Sequence, residues 1–151
     1  MEDIFNAIRS EELNEVEAIL NMNPEIVNSK DARGSTPLLL ASYYGLEDIT
    51  QSILEHSPDI DAQDSSGNTA LMGVCFKGYY DIVRLLIVSG ANVNQKNYNG
   101  ATALIFAATF GQKKIIKLLV ENGADISVKD NHGYTAQMHA KNQGLEIQEL
   151  F

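Results

Sequence analysis

Three histidines and one cysteine are the side chains of this chain best suited to bind a metal ion or act as nucleophiles. His132 and His139 are seven residues apart, but a predicted turn separates them, so they do not share one helical face. His56 lies at the end of a different predicted helix, and Cys75 has no second cysteine beside it. Because zinc sites draw three or four ligands from such residues, we predict no metal site.

Other catalytic patterns are also missing from the sequence. The run at 59–64 (DIDAQD) resembles part of a calcium loop, but it lacks the central glycine and the terminal glutamate of such a loop. No glycine-rich phosphate loop follows a predicted strand, and neither GxSxG nor HExxH occurs. We therefore predict no catalytic residues, no cofactor and no enzymatic activity.

Charge is unevenly distributed along the chain, whose net charge is −9. The first 66 residues contain 14 of the 20 acidic residues and only three of the 11 basic ones. Nucleic-acid binding normally requires a basic surface, so we predict that the chain does not bind nucleic acid. Lys113, Lys114 and Lys117 are interpreted as a solvated helix face, with Glu121 four residues after the last. The acidic half favours either a basic partner protein or simply solubility.

Hydropathy and cysteine content indicate a cytoplasmic protein. No apolar run approaches the roughly 18 residues of a membrane span, so no membrane association is predicted. The N-terminal residues lack the basic and apolar regions of a secretory signal. Cys75 is alone and cannot form an internal disulfide, and we interpret it as a small buried hydrophobic residue.

The elements that position these side chains follow from a repeated twelve-residue phrase. Each copy keeps Gly at its first and last positions and Thr at its third, and the copies are 33 residues apart. A period of this length indicates one supersecondary unit stacked on copies of itself. The copies begin at Gly34 (GSTPLLLASYYG), Gly67 (GNTALMGVCFKG), Gly100 (GATALIFAATFG) and Gly133 (GYTAQMHAKNQG).

Each unit predicts a turn followed by two helices. The threonine is a suitable N-cap, and Pro37 suits the first position of a helix that we predict to end near Tyr44. The last glycine of the phrase ends this first helix. An amphipathic stretch with apolar residues at helical spacing then predicts a second helix with one buried stripe. We expect hairpin-like turns at 30–34, 63–67, 96–100 and 129–133.

The phrases GNTAL (67–71), DIVRLLIVSGANVN (81–94) and KIIKLLVENGADI (114–126) resemble the ankyrin repeat, and the resemblance covers nearly the whole chain. It implies an all-α fold, an ankyrin-repeat solenoid of stacked helix-turn-helix units with hairpin-like turns. Residues 1–151 then form a single domain. Its parts are an N-terminal cap (1–30), three full repeats (31–63, 64–96 and 97–129) and a truncated C-terminal cap (130–151).

The sequence departs from the family pattern at the position that usually holds histidine and ties the turn to the helix. Leu39, Met72, Ile105 and Met138 stand there, so we expect apolar packing to replace the hydrogen bonds. Gln137 replaces a core leucine in the last copy, and such a polar substitution suits a terminal repeat.

The resemblance also implies a binding site, because ankyrin stacks bind partners through the turn tips and the exposed face of the first helix. Six of the 11 aromatic residues lie at these positions, and we expect Tyr43, Tyr44, Tyr98 and Phe110 to form a ladder of exposed rings. The alternative is that some rings, Phe76 and Phe110 above all, fold back between the repeats. The candidate partner-binding residues are Arg33, Ser35, Tyr43, Tyr44, Ser66, Asn68, Phe76, Lys77, Tyr98, Asn99, Phe110, His132 and Tyr134.

We therefore interpret the chain as a non-catalytic, monomeric protein–protein interaction module that holds a partner protein in a concave groove. An inhibitor, an immunity protein or an adaptor would fit this description, and a nuclease is one basic target. The alternative is a structural scaffold or self-associating oligomer module whose groove is filled by a second copy. A third hypothesis makes the chain a substrate of an asparagine hydroxylase at Asn94.

Overall fold

A computed structural model describes residues 3–151, so Met1 and Glu2, the first residues of the predicted N-terminal cap, lie outside the described part. The described chain is helical, with helices arranged in pairs along a stack. The helices are α1 (Ile4–Arg9), α2 (Leu13–Met22), a 3-10 turn (Pro24–Asn28), α3 (Pro37–Tyr43), α4 (Glu47–Leu54), α5 (Ala70–Lys77), α6 (Tyr80–Val88), α7 (Ala103–Thr109), α8 (Lys113–Glu121), α9 (Ala136–Asn142) and α10 (Ile147–Leu150).

Two parallel rows of helices build the stack. The odd-numbered helices contact one another in order and form the inner row, and the even-numbered helices form the outer row behind them. The core lies between the two rows and runs the length of the molecule. It contains Leu71 and Leu104 from the inner row and Ile53, Leu86 and Ile116 from the outer row. The predicted all-α stack of helix-turn-helix units is confirmed.

Threonine N-caps begin the inner helices, as the sequence predicts. The hydroxyl of each threonine accepts a hydrogen bond from the backbone N–H three residues on, at 3.2–3.3 Å. This bond satisfies one of the N–H groups that have no partner within the helix. The four capping residues are Thr36, Thr69, Thr102 and Thr135.

Glycine ends these helices in a backbone conformation that other residues rarely adopt. Gly78, which follows α5, has φ +80°, in the left-handed region. The first inner helix of the full repeats ends at Tyr43, and Tyr44 is its C-cap residue rather than its last helical residue. The predicted end at Tyr44 is therefore one residue too long.

The predicted hairpin-like turns are present and are built around one polar side chain each. Asp31 Oδ1 accepts hydrogen bonds from the backbone N–H groups of Arg33 and Ser35 at 2.9 and 3.0 Å. Asp64, Asn97 and Asp130 make the equivalent pairs of bonds in the later turns. Neighbouring tips are linked by backbone bonds, so the turns form a continuous edge.

The residues that replace the usual histidine are buried in three repeats and exposed in the fourth. Leu39, Met72 and Ile105 are buried, so the predicted apolar packing is confirmed there. The Sδ atom of Met72 also accepts a weak hydrogen bond from the Thr69 N–H at 3.4 Å. For Met138 the prediction is wrong, because its side chain is 46% exposed at the end of the stack, where no further inner helix covers it.

Candidate functional site

The inner helices carry four aromatic side chains that point out of the core onto the concave face. Tyr43 is 40% exposed, Tyr44 49%, Phe76 37% and Phe110 46%. Their repeat positions explain this exposure, because each lies at the C-terminal end of α3, α5 or α7, opposite the buried leucines. Phe76 and Phe110 therefore do not fold back into the core. We call these four residues the aromatic row.

The rings of the aromatic row contact one another across three repeats. The centroids of Tyr43 and Phe76 are 6.3 Å apart with nearly parallel planes, at an angle of 3°. Phe76 meets Phe110 edge to face at 4.7 Å, and Tyr44 lies 6.4 Å from Tyr43. Both offset-parallel and edge-to-face arrangements are favourable for aromatic pairs. The row is thus an ordered strip rather than four independent side chains.

A glycine in the middle of α5 provides space for the strip. A Cβ atom at Gly73 would lie 3.3 Å from Cδ1 of Tyr43, closer than most real contacts. Glycine inside a helix costs roughly 1 kcal/mol relative to alanine. The chain therefore has a locally unfavourable residue at the point where the Tyr43 ring approaches the next repeat.

Lys77 adds a positive charge to the aromatic row. Its Nζ atom lies 4.9 Å from the centroid of Tyr43 and 5.8 Å from that of Tyr79. Both distances are within the range of a cation–π interaction. The ammonium group is held beside the rings, yet Lys77 remains exposed to solvent.

The N-terminal half of the concave face contains a depression of about 670 Å³ between the first two turn tips and the inner helices. Its floor and walls bring together six of the sequence-predicted residues. These are Arg33, Ser35, Tyr43, Tyr44, Ser66 and Asn68. Arg9 also lines the depression and forms an ion pair with Asp31 at 3.8 Å.

Sequence reasoning missed Arg9, Gly73 and the contact between Lys77 and Tyr43. Arg9 was left out because residues 1–30 were treated only as a cap. Counting one period of 33 back from Ser42 reaches Arg9, so the repeat itself could have placed it at the end of an inner helix. Gly73 is signalled by a helix-breaking residue within a strongly helical phrase.

Tyr98 does not join the aromatic row, although the sequence predicted a ladder that includes it. Its ring packs over Gly67 of the preceding turn, where a Cβ atom would lie 2.7 Å from Cδ1 of Tyr98. Its backbone N–H donates to Ser66 O at 3.2 Å. The side chain, 65% exposed, lines a second depression of about 330 Å³ with Lys30 and Gln63. The missing side chain of Gly67 therefore lets Tyr98 turn toward this depression.

The remaining candidates lie toward the C-terminal end of the turn edge. Asn99 is exposed, and its carbonyl accepts a hydrogen bond from the Asn131 N–H at 3.0 Å. His132 is exposed at the last tip. The exposed Tyr134 ring packs edge to face on His139 at 5.6 Å. These residues are outside the depression that contains Arg33 and Tyr43.

The last turn contains the one His–Asp ion pair of the described residues. Nε2 of His139 lies 2.9 Å from Oδ2 of Asp130. Burial raises the pKa of Asp130, but hydrogen bonds from His139 and from the Tyr134 and His132 backbone outweigh it, so the pKa is lower than its ordinary value. The pair ties α9 to the turn that precedes it.

The other groups with chemical potential have structural surroundings. Cys75 is completely buried, and burial raises the pKa of its thiol far above the ordinary value, so its thiolate is suppressed. His56 bridges Ser52 O and Asn21 Oδ1 at 3.0 and 3.1 Å. Within residues 3–151, no three His, Cys, Asp or Glu side chains are grouped closely enough to hold a metal ion. The same residues include no helix that is both long and apolar enough to cross a membrane.

Comparison with known proteins agrees with the architecture. The family model described as ankyrin repeats, in three copies, matches residues 4–97 and 74–151. A comparison with curated proteins gives no match. Ankyrin repeats generally mediate protein–protein interactions and are typically non-catalytic. From its 33-residue period, its paired helices and this match over almost its whole length, the chain belongs to the ankyrin-repeat family.

Proposed function

We propose that this protein is a non-catalytic module that holds a partner protein on its concave face, with the aromatic row as the centre of the contact. The single observation that carries the proposal is the strip of four exposed rings spanning three repeats. Tyrosine is enriched among the residues that dominate binding energy in protein interfaces. Contiguous exposed apolar surface of this kind marks interaction sites more often than free surface.

The rigidity of the scaffold supports the same proposal. The ring-bearing helices are anchored by Leu38, Leu71 and Leu104, all of which are buried. Ring-to-ring contacts further restrict the side chains. A partner then loses less conformational entropy on binding, because the groups that it contacts are already ordered.

We further propose that the protein acts as a cytoplasmic monomer in the role of an inhibitor, an immunity protein or an adaptor. A single buried cysteine without a disulfide fits a reducing compartment. An ordered concave strip suits each of the three roles, since each requires one stable contact with a partner and no chemistry.

The test begins with affinity capture from the source organism, using the wild-type protein and the variant Tyr43→Ala/Phe110→Ala side by side. The affinity of the captured partner is then measured by calorimetry for both proteins. We expect the double variant to bind more weakly by at least about 2 kcal/mol, the scale of an interface hot spot. Its thermal stability should change little, because both rings are exposed in the free protein.

The matched control removes exposed apolar groups elsewhere. Met22→Ala/Val88→Ala truncates two side chains on the outer helices that are 66% and 83% exposed, and it should leave the affinity unchanged. Equal losses in both double variants would contradict the assignment of the concave face. Light scattering distinguishes the scaffold alternative, because an oligomer of the wild type that the Tyr43→Ala/Phe110→Ala variant dissociates would identify a second copy as the occupant.

A further inference from the structure

The charge of the concave face differs from that of the molecule as a whole. No aspartate or glutamate occurs in the inner helices α3, α5, α7 and α9. The turn tips between the first residue of each turn and the threonine cap also contain no acidic residue. The net charge of −9 must therefore come from other surfaces.

The carboxylates nearest to the groove are already engaged in the turns. Oδ1 of Asp31, of Asp64 and of Asp130 each accepts two backbone N–H groups of its own turn. Oδ2 of Asp31 pairs with Arg9, and Oδ2 of Asp130 pairs with His139. Asn97, which is neutral, makes the same turn bonds in the third repeat. These side chains hold the turns and are poorly placed to bind cations of a partner.

Two cations on the same face have no carboxylate partner. Arg33 and Lys77 are exposed, and neither forms an ion pair within the described residues. Arg33 lines the depression together with Tyr43 and Tyr44, while Lys77 lies over the Tyr43 ring. Both unpaired charges therefore flank the same end of the aromatic row.

The acidic residues of the first half lie behind this face. Those in the loop between α1 and α2 and along the outer helices are separated from the aromatic row by the inner helices. They are Glu11, Glu12, Glu15, Glu17, Glu47, Asp48 and Glu55. A basic partner drawn to these residues would have to dock on the outer helices or the loops, away from the rings.

We propose, on the basis of the function proposed above, that the segment bound by the concave face is an acidic peptide stretch of the partner protein. Its apolar side chains pack on the aromatic row, and its Asp or Glu side chains pair with Arg33 and Lys77. Arginine binds a carboxylate through two parallel hydrogen bonds, and the apolar rings lower the local dielectric, which strengthens both charge pairs. A nucleic acid would also offer rings and negative charge, but its dense phosphates would meet the repulsion of a protein with net charge −9.

Three matched fluorescein-labelled peptides test the proposal. Each has about ten residues in which leucine and proline alternate with glutamate, glutamine or lysine, and binding is measured by fluorescence anisotropy together with amide chemical shifts. We expect the glutamate peptide to bind at least about tenfold more tightly than the glutamine peptide. Its chemical-shift changes should be confined to the turn tips and inner helices, and labelled oligothymidine should not compete.

Charge reversal with a matched control completes the test. Arg33→Glu/Lys77→Glu should weaken the glutamate peptide about tenfold or more and should tighten the lysine peptide. Lys113→Glu/Lys117→Glu makes the same change in net charge on the outer helix α8 and should have little effect.

Equal affinity of the glutamate and glutamine peptides would overturn the acidic assignment, as would failure of the glutamate peptide to bind at about 1 mM. So would tightest binding of the lysine peptide to the wild type, or binding of oligothymidine to the groove. The function proposed above is judged separately, by the affinity of the natural partner for the Tyr43→Ala/Phe110→Ala variant, so either proposal can fail alone.

Discussion

The third repeat (97–129) and the C-terminal cap (130–151) start with nearly the same local structure and end with different packing. Thr102 and Thr135 both cap their helices with a hydrogen bond of 3.3 Å. The turns before them are built alike around Asn97 and Asp130. Yet the outer helix has nine residues in the repeat and four in the cap.

Burial separates the two regions position by position. Leu104 is 1% exposed, whereas Gln137 at the same repeat position is half-buried. Helix α7 packs between α5 and α9, but α9 has an inner-row neighbour on one side alone within the described chain. In a repeat stack each unit is stabilised by its neighbours. The comparison shows that the repeated phrase builds the turn and the cap locally, while the core requires a repeat on both sides.

The largest expected effect comes from truncating the core leucine of the third repeat. Leu104→Ala should lower the free energy of unfolding by about 2–5 kcal/mol, since it removes a fully buried side chain and leaves a cavity. The matched change Gln137→Ala should alter stability by less than about 0.5 kcal/mol. Urea denaturation of both variants measures the difference. Equal effects would mean that the cap has a core like that of the central repeats.

Two methionines at one repeat position give a comparison without a change of residue type. Met72 is 1% exposed and Met138 is 46% exposed. We expect Met72→Ala to cost about 2–3 kcal/mol, near the lower end of the range for buried methionine. Met138→Ala should stay within about 0.5 kcal/mol of the wild type. Thermal unfolding followed by circular dichroism checks both, and a large loss for Met138→Ala would show that the end of the stack is covered in solution.

The smallest expected effect is a pH dependence confined to the cap. The pKa of Asp130 is lower in the folded state than its ordinary value, so the ionised carboxylate stabilises the cap above the unfolded pKa of about 3.9. This stabilisation is lost as the pH falls through the lower, folded pKa. Asp130→Asn removes the titrating group and keeps the turn, because Asn97 makes the same bonds in the third repeat.

Hydrogen exchange of the α9 amides provides the measurement for this pH dependence. The wild type should be better protected than Asp130→Asn at pH values from about 5 upward, and the two should converge as the pH falls below about 4. The α7 amides serve as the internal control and should not distinguish the proteins. A difference that persists undiminished at low pH would rule out ionisation of Asp130 as its cause.

Local features of the fold were predictable because they depend on residues close together in the chain. Thr69 caps a helix whose first turn contains its hydrogen-bond donor, and Gly78 adopts a left-handed backbone that glycine tolerates best. The period of 33 then places every copy in register. Burial of Leu39, Met72 and Ile105 followed from the same register.

The surface was less predictable, because side-chain direction depends on neighbouring repeats. Phe76 and Phe110 were candidates for either the core or the groove, and their 4.7 Å contact exists only when α5 and α7 pack side by side. Tyr98 was assigned to the ladder by its repeat position. Its ring turns away because Gly67, 31 residues earlier, leaves room for it.

The amino-acid sequence by itself determined the repeat length, the order of turns and helices, the capping residues and the apolar stripe of each helix. These features arise from hydrogen bonds and periodicities within about 12 residues of one another. The tertiary structure alone decided which equivalent positions are buried, which rings touch and where the unpaired charges of Arg33 and Lys77 lie. Each of these depends on atoms about one period away, which contact one another only once the repeats have stacked.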